Sequence, residues 1–372
     1  MDLADCFPAS YTASRERFLA AARALAPRLG TTLDSRALEV RGPDGGTLAL
    51  DLALFGARRP THALVVSSGT HGVEGYAGAA IQHHVLAELL PRLRLAEGTA
   101  VVLLHALNPY GFAWGRRVNE SNVDLNRNAL EHFDASLCDP DYERLFDALN
   151  PPDLDPAAEA LRWGRVDAFV AEHGERRYQQ VAMGGQYRHP QGVQYGGAGR
   201  EASVRHLLAL VTEHLANARS VRWLDVHTGL GASGDCEVVT GASPDSDCYR
   251  FSTEVWPGWI RSAASGESLA TPLHGLLDRG IEAALPSGCR FAFGFPEFGT
   301  YEPMRMIRAI RTDNWLHAHG DRDDATGRAI RAEMLEVFAP ASPDWRRRVV
   351  ATGASLVGQA LAGLPGATLP PP

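Results

Sequence analysis

His71 and Glu74 stand three residues apart in Gly69-Thr70-His71-Gly72-Val73-Glu74-Gly75, a stretch bounded and interrupted by glycine. On a tight loop of this kind an imidazole nitrogen and a carboxylate oxygen can face a common point, as tetrahedral zinc requires of its ligands. A catalytic zinc takes three protein ligands and leaves one position to water, so a second histidine from a distant element is expected. His227, in Asp225-Val226-His227-Thr228-Gly229, is the best candidate. Asp225 lies two residues earlier, on the same side if the segment is a strand, and can buttress an imidazole from behind. Taken singly, each residue has a plainer role open to it: Glu74 could cap a following helix, and Asp225 and His227 could be hydrogen-bonded strand-end residues. The remaining histidines, including His83/His84 and His317/His319, lack a comparable set of partners.

A second group could hold a substrate. The segment Arg116-Arg117-Val118-Asn119-Glu120-Ser121-Asn122-Val123-Asp124-Leu125-Asn126-Arg127-Asn128 crowds guanidiniums and amides into one loop. A guanidinium fork pairs bidentately with a carboxylate and a neighbouring amide adds a donor, so Asn126 with Arg127 suits an anionic substrate group. Arg117 or Arg116 could supply a second cation, aimed at the oxygen that gains charge when water attacks a carbonyl. Glu297, flanked by Phe293, Phe295, Pro296 and Phe298, should be partly desolvated, which raises a carboxyl toward the range of a general base. Alone, such a glutamate would equally suit a helix cap or a salt bridge.

These residues fall at the ends of short apolar runs. A hairpin is expected over Leu38 to Val40 and Thr47 to Leu54, and strands over His62 to Ser67, Thr99 to Ala106, Val221 to Val226, Cys236 to Thr240 and Arg290 to Phe295. Helical spacing marks about Tyr76 to Leu90, Pro140 to Leu149, Pro156 to His173, Glu201 to Ala218, Pro303 to His317 and Ala325 to Phe338. Strands separated by helices imply an α/β fold, a largely parallel sheet covered on both faces, with ligands in the crevice beyond the carboxyl ends of the strands. No linker divides the chain, so residues 1–372 are expected to form a single domain, with a catalytic core at about 38–340 and a C-terminal helix at about 341–364.

Composition removes several chemistries. Among 372 residues all 36 basic side chains are arginine, so no lysine is present to form a Schiff base, a phosphate-loop contact or a Ser-Lys pair. No Gly-x-Ser-x-Gly elbow is present either. A net charge of -8 and the lack of a basic stripe argue against nucleic acid as a partner. Five scattered cysteines, Cys6, Cys138, Cys236, Cys248 and Cys289, and a start without a basic leader point to a reducing, cytoplasmic setting. The uncharged run from Val349 to Pro372 follows three arginines but is diluted by glycine and polar residues, so a helix packed on the protein is expected rather than a membrane span.

The set His71-x-x-Glu74, Asp124-x-Asn126-Arg127, Asp225-x-His227 and Glu297, in that order between about Ala63 and Ile310, resembles the zinc carboxypeptidase superfamily. That superfamily also contains aspartoacylase and succinylglutamate desuccinylase, and the fuller motif wording is similar to a bacterial branch of it. The resemblance implies a mixed, mostly parallel twisted sheet between helices, with one Zn2+ held by His71, Glu74 and His227. It makes Glu297 the general base, gives Asn126 and Arg127 the substrate carboxylate, and gives Arg117 the scissile carbonyl, with Arg116 as the alternative. A mobile active-site tyrosine of the kind carboxypeptidases use would be Tyr195 or Tyr301. The implied activity is hydrolysis of an amide next to a free carboxylate, in a peptide or an N-acyl amino acid; the alternative is a metal-dependent binding protein for a carboxylate ligand. The long stretch between Asn128 and Gly199, with Gly184-Gly185-Gln186-Tyr187 and Gln194-Tyr195-Gly196-Gly197, is expected to narrow the entrance.

Overall fold

Runs such as His62–Ser68 and Thr99–His105 are apolar on both faces, and a strand without a polar face has to be covered from both sides. In the computed structural model, which describes residues 2–268, 270 and 273–370, these runs lie in the middle of the main sheet. The strands are β1 (Thr31–Arg41), β2 (Thr47–Gly56), β3 (His62–Ser68), β4 (Arg94–Leu95), β5 (Thr99–His105), β6 (Ser220–Gly229), β7 (Cys236–Thr240), β8 (Ile260–Ser262), β9 (Arg290–Gly299) and β10 (Ala367–Thr368). Eight of them form one sheet in the order β1-β2-β5-β3-β6-β9-β7-β8, while β4 and β10 pair separately. The central ladders β5/β3, β3/β6 and β6/β9 are parallel, as is β7/β8; β1/β2, β2/β5 and β9/β7 are antiparallel. The fold is therefore α/β with a mixed, mostly parallel sheet.

The helices are α1 (Tyr11–Leu29), α2 (Gly75–His84), α3 (Pro109–Trp114), α4 (Pro140–Leu149), α5 (Pro156–His173), α6 (Glu175–Met183), α7 (Ala202–His214), α8 (Asp247–Val255), α9 (Leu277–Ala284), α10 (Pro303–His319), α11 (Ala325–Phe338) and α12 (Pro343–Ala362). Alternate strand residues serve opposite faces. Leu64, Val66, Leu224 and Val226 pack with Phe18 of α1, Ile81 of α2 and Leu356 of α12, whereas Ala63, Val65, Val221 and Trp223 pack with Leu207 and Leu210 of α7 and Ile281 of α9. A third cluster joins α4, α5 and α6 to α10 and α11 through Leu145, Val166, Val181, Ile310 and Met334.

Several expected boundaries shift. The helix expected to reach Leu90 ends as an α-helix at His84 and continues over Val85–Leu89 with a wider, π-helical turn. The helix expected to run to Ala218 stops at His214, while β6 and β9 extend to Gly229 and Gly299. The uncharged C-terminal run forms most of α12, which buries Val349, Val350, Leu356, Val357 and Leu361; Pro371 and Pro372 lie outside the described residues. Among the described residues no helix is long and apolar enough to cross a membrane.

Candidate metal centre

The site sits at the carboxyl ends of β3, β6 and β9. His71 follows β3 and opens a single 3-10 turn, Gly72–Glu74, that runs into α2. That turn is pinned by main-chain bonds: Gly72 N donates to Arg117 O at 3.0 Å and Val73 N to Arg116 O at 2.8 Å. Glycine is required at position 72, because a Cβ there would lie 2.1 Å from the Gly111 carbonyl carbon at the start of α3. His227 and Glu297 face each other across the β6/β9 ladder as register partners, so the sheet itself sets their spacing.

His71, Glu74 and His227 are all buried and their ligand atoms lie within 4.8 Å of one another. Glu74 bridges the rings, with Oε1 2.8 Å from His71 Nδ1 and Oε2 3.2 Å from His227 Nδ1; its Oε2 also accepts from Thr228 N at 3.1 Å. The two Nδ1 atoms are 3.2 Å apart. Each outer nitrogen meets an acidic acceptor: His227 Nε2 is 2.8 Å from Asp225 Oδ2, and His71 Nε2 is 3.1 Å from Asp124 Oδ1. Asp225 behind His227 favours a proton on that ring's outer nitrogen and turns its inner lone pair toward Glu74 and His71, which suits a divalent ion, while the outer nitrogen of His71 lies between Asp124 and the Arg117 guanidinium. The donor set therefore fits a zinc-type cation.

The electrostatics follow from this packing. Burial works against the Glu74 charge, but His71 and His227 outweigh it and hold the carboxyl below its usual range. Burial also opposes a charged His227, and Asp225 and Glu74 overcome it, raising the imidazole well above its ordinary value. Glu297 goes the other way: burial, reinforced by Glu74, pushes it up to about 7. Its Oε1 accepts from Leu230 N at 3.0 Å.

The substrate-side residues divide. Arg117, Asn126 and Arg127 line the same cavity of ≈ 100 Å³ as His71, Glu74, His227 and Glu297. Arg117 Nη1 donates to Asp124 Oδ2 at 2.6 Å and to Gln194 Oε1 at 2.9 Å, and its Nη2 reaches His71 Nε2 at 2.7 Å. Arg127 donates to Asn126 O at 2.8 Å and to Met183 O at 2.9 Å, while its buried Nε has no acceptor among the described residues. Arg116 lies elsewhere. It is buried against Asp313 of α10 at 2.9 Å and Asn122 at 3.1 Å, and it does not line the cavity. Neither tyrosine lines it: Tyr195 packs in the core, where its carbonyl accepts from Asp124 N at 2.8 Å, and Tyr301 donates its hydroxyl to Glu336.

Sequence reasoning left two contributors, Asp124 and Gln194, without a role. Asp124, visible in the motif, links His71 to Arg117. Gln194, at a left-handed φ of 58° in the Gln194-Tyr195-Gly196-Gly197 motif, holds the same guanidinium. The Asn128–Gly199 stretch brings Gln179 and Met183 of α6 to the cavity wall, where Ile307 and Phe338 also lie.

Comparison with solved structures finds likenesses at low identity. One is carboxypeptidase A from Helicoverpa armigera, at 12% identity and TM-score 0.46, covering 89% of this chain and 74% of that one. An aspartoacylase family protein from Mesorhizobium loti matches at 15% identity and TM-score 0.38, over 78% and 67% of the two chains. A succinylglutamate desuccinylase from Silicibacter sp. TM1040 matches at 12% identity and TM-score 0.37, again over 78% and 67%. No curated protein matches the sequence. Residues 7–352 match a single family along nearly the whole chain, and the protein belongs to that family, described as a protein of unknown function (DUF2817).

Proposed function

We propose that the protein is a zinc-dependent hydrolase that cleaves an amide bond next to a free carboxylate. The observation that carries this reading is the convergence of His71 Nδ1, His227 Nδ1 and the Glu74 carboxylate in one cavity with Glu297, with Asp225 behind His227. His71, Glu74 and His227 would hold the ion; when bound, Zn2+ supplies Lewis acidity to a water molecule and to the scissile carbonyl. Glu297 takes the proton released as the water oxygen bonds to the carbonyl carbon, and returns it to the amide nitrogen as the C–N bond breaks. The products are a carboxylate and an amine. Arg117 faces the carbonyl oxygen as it gains charge, and Asn126 with Arg127 orients the substrate through its carboxylate.

The test is metal removal. Chelation should abolish hydrolysis of short peptides and N-acyl amino acids, and stoichiometric zinc should restore it, with elemental analysis of the purified protein reporting one ion per chain. Undiminished turnover by protein verified to be metal-free would refute the proposal.

A further inference from the structure

A second cavity, of ≈ 500 Å³, adjoins the first. It is lined by Asp235, Glu237, Trp259 and Arg261 among others, and it shares two residues with the cavity that holds the metal-ligand set: Leu230 and Glu297. These two are bonded to each other, Leu230 N to Glu297 Oε1, so they form the divide between the cavities, with the proposed base upon it. On the hydrolase reading, a bond cleaved beside Glu297 would have one half on each side.

The two sides differ in charge. The first offers the guanidiniums of Arg117 and Arg127. On the second, Glu237 is the cross-strand partner of Glu297 on β7/β9 and so points to the same face of the sheet. Glu237 also accepts from Ser268 Oγ at 3.0 Å, and Asp235 is exposed at the rim. The cation there, Arg261, turns Nη1 to the carbonyls of Gly258 at 3.2 Å and Ile260 at 2.9 Å and makes no ion pair among the described residues. The Trp259 indole adds a ring on which a cation can rest. An acetyl group would leave most of this space empty, and an acidic acyl group would meet two carboxylates against the one guanidinium of Arg261.

Resting on the hydrolase reading for the placement of the scissile bond, we propose that this second cavity receives the acyl half of the substrate and selects a positive charge on it. The substrate class is then a short peptide with a free ammonium or a basic side chain on the acyl-side residue, and a carboxylate on the other half.

A matched series with leucine on the carboxylate side tests this: Arg-Leu, Ala-Leu, N-acetyl-leucine and N-succinyl-leucine. In zinc-loaded protein kcat/KM should fall in that order, with roughly tenfold or more between the first and third, as expected for a partly screened charge pair. Asp235→Asn and Glu237→Gln should each shrink that ratio, and together bring it close to unity. Calorimetry on zinc-loaded Glu297→Gln protein reads the same ranking as affinities, without turnover. Equal rates for the cationic and succinyl compounds, or a ratio unchanged in both variants, would overturn the subsite. Charge-ranked binding with no hydrolysis of any member would instead uphold the subsite and overturn the hydrolase reading.

Discussion

Glu297 and Glu74 are two carboxyls in one buried site, and their neighbours set them apart: two imidazoles keep Glu74 ionised, whereas burial and Glu74 itself push Glu297 up to about 7. A group poised in that range can both accept and return a proton. Glu297→Gln should therefore lower kcat by about 10²- to 10⁴-fold while zinc content is retained, read by steady-state kinetics beside elemental analysis. Asp124 would act at one remove from the proposed ion. Asp124→Asn weakens the acceptor behind His71, and chelator competition should show zinc affinity lower by about 10- to 100-fold. At this scale the clustering of the candidate ligands was legible because His71 and Glu74 share one turn and Asp225 stands two residues from His227. The work of Asp124 was hidden because its imidazole partner is 53 positions away, a contact made by folding alone. Arg116 and Arg117 are neighbours in sequence with opposite surroundings, one paired with Asp313 and the other with Asp124, and nothing in the local sequence separates them.

Among the elements, the turn that carries His71 and Glu74 depends on how closely α3 approaches it. Gly72→Ala would drive a methyl into the Gly111 backbone, so the turn or α3 must move; a stability loss of about 1–3 kcal/mol is expected, with weakened zinc binding, by thermal unfolding and metal titration. The helices Pro140–Leu149, Pro156–His173 and Ala325–Phe338 match their expected spans because proline or an acidic cap marks the start and an apolar stripe follows. By contrast α1 was not read as a helix. Its buried stripe of Ser14, Phe18, Ala22 and Leu25 is interrupted by small and polar residues and surrounded by arginines, so its period is faint until β2 and α2 cover it. The short α6 and α9 were missed for a similar reason. Each is under three turns long, and each gains its place from what it touches, the cavity for Met183 and the Asn126 amide for Leu277 N.

For the molecule as a whole, one buried acid away from the metal centre should shape stability against pH. Burial pushes Asp278 up from its ordinary 3.8 to about 6, with Glu282 adding to the rise and Arg279 opposing it. A carboxyl whose pKa is higher folded than unfolded binds its proton more tightly in the native state. Its contribution is therefore fully present below pH 3.8, declines as pH rises, and is gone above about 6. Asp278→Asn removes that dependence: the variant should match the parent near pH 4 and exceed it at pH 8 by at most about 3 kcal/mol, measured by denaturant unfolding at both values.

The last two helices bear on the site without entering its chemistry. Thr228, next to His227, donates its hydroxyl to Phe338 O at the end of α11, and the Trp345 indole of α12 donates to Gly299 O, two residues beyond Glu297. The tips of β6 and β9 are thus latched from behind by the last two helices. A polypeptide emerging from the ribosome would carry His71, Glu74, His227 and Glu297 before these latches exist, so the tips of β6 and β9 are secured only when synthesis has passed Trp345.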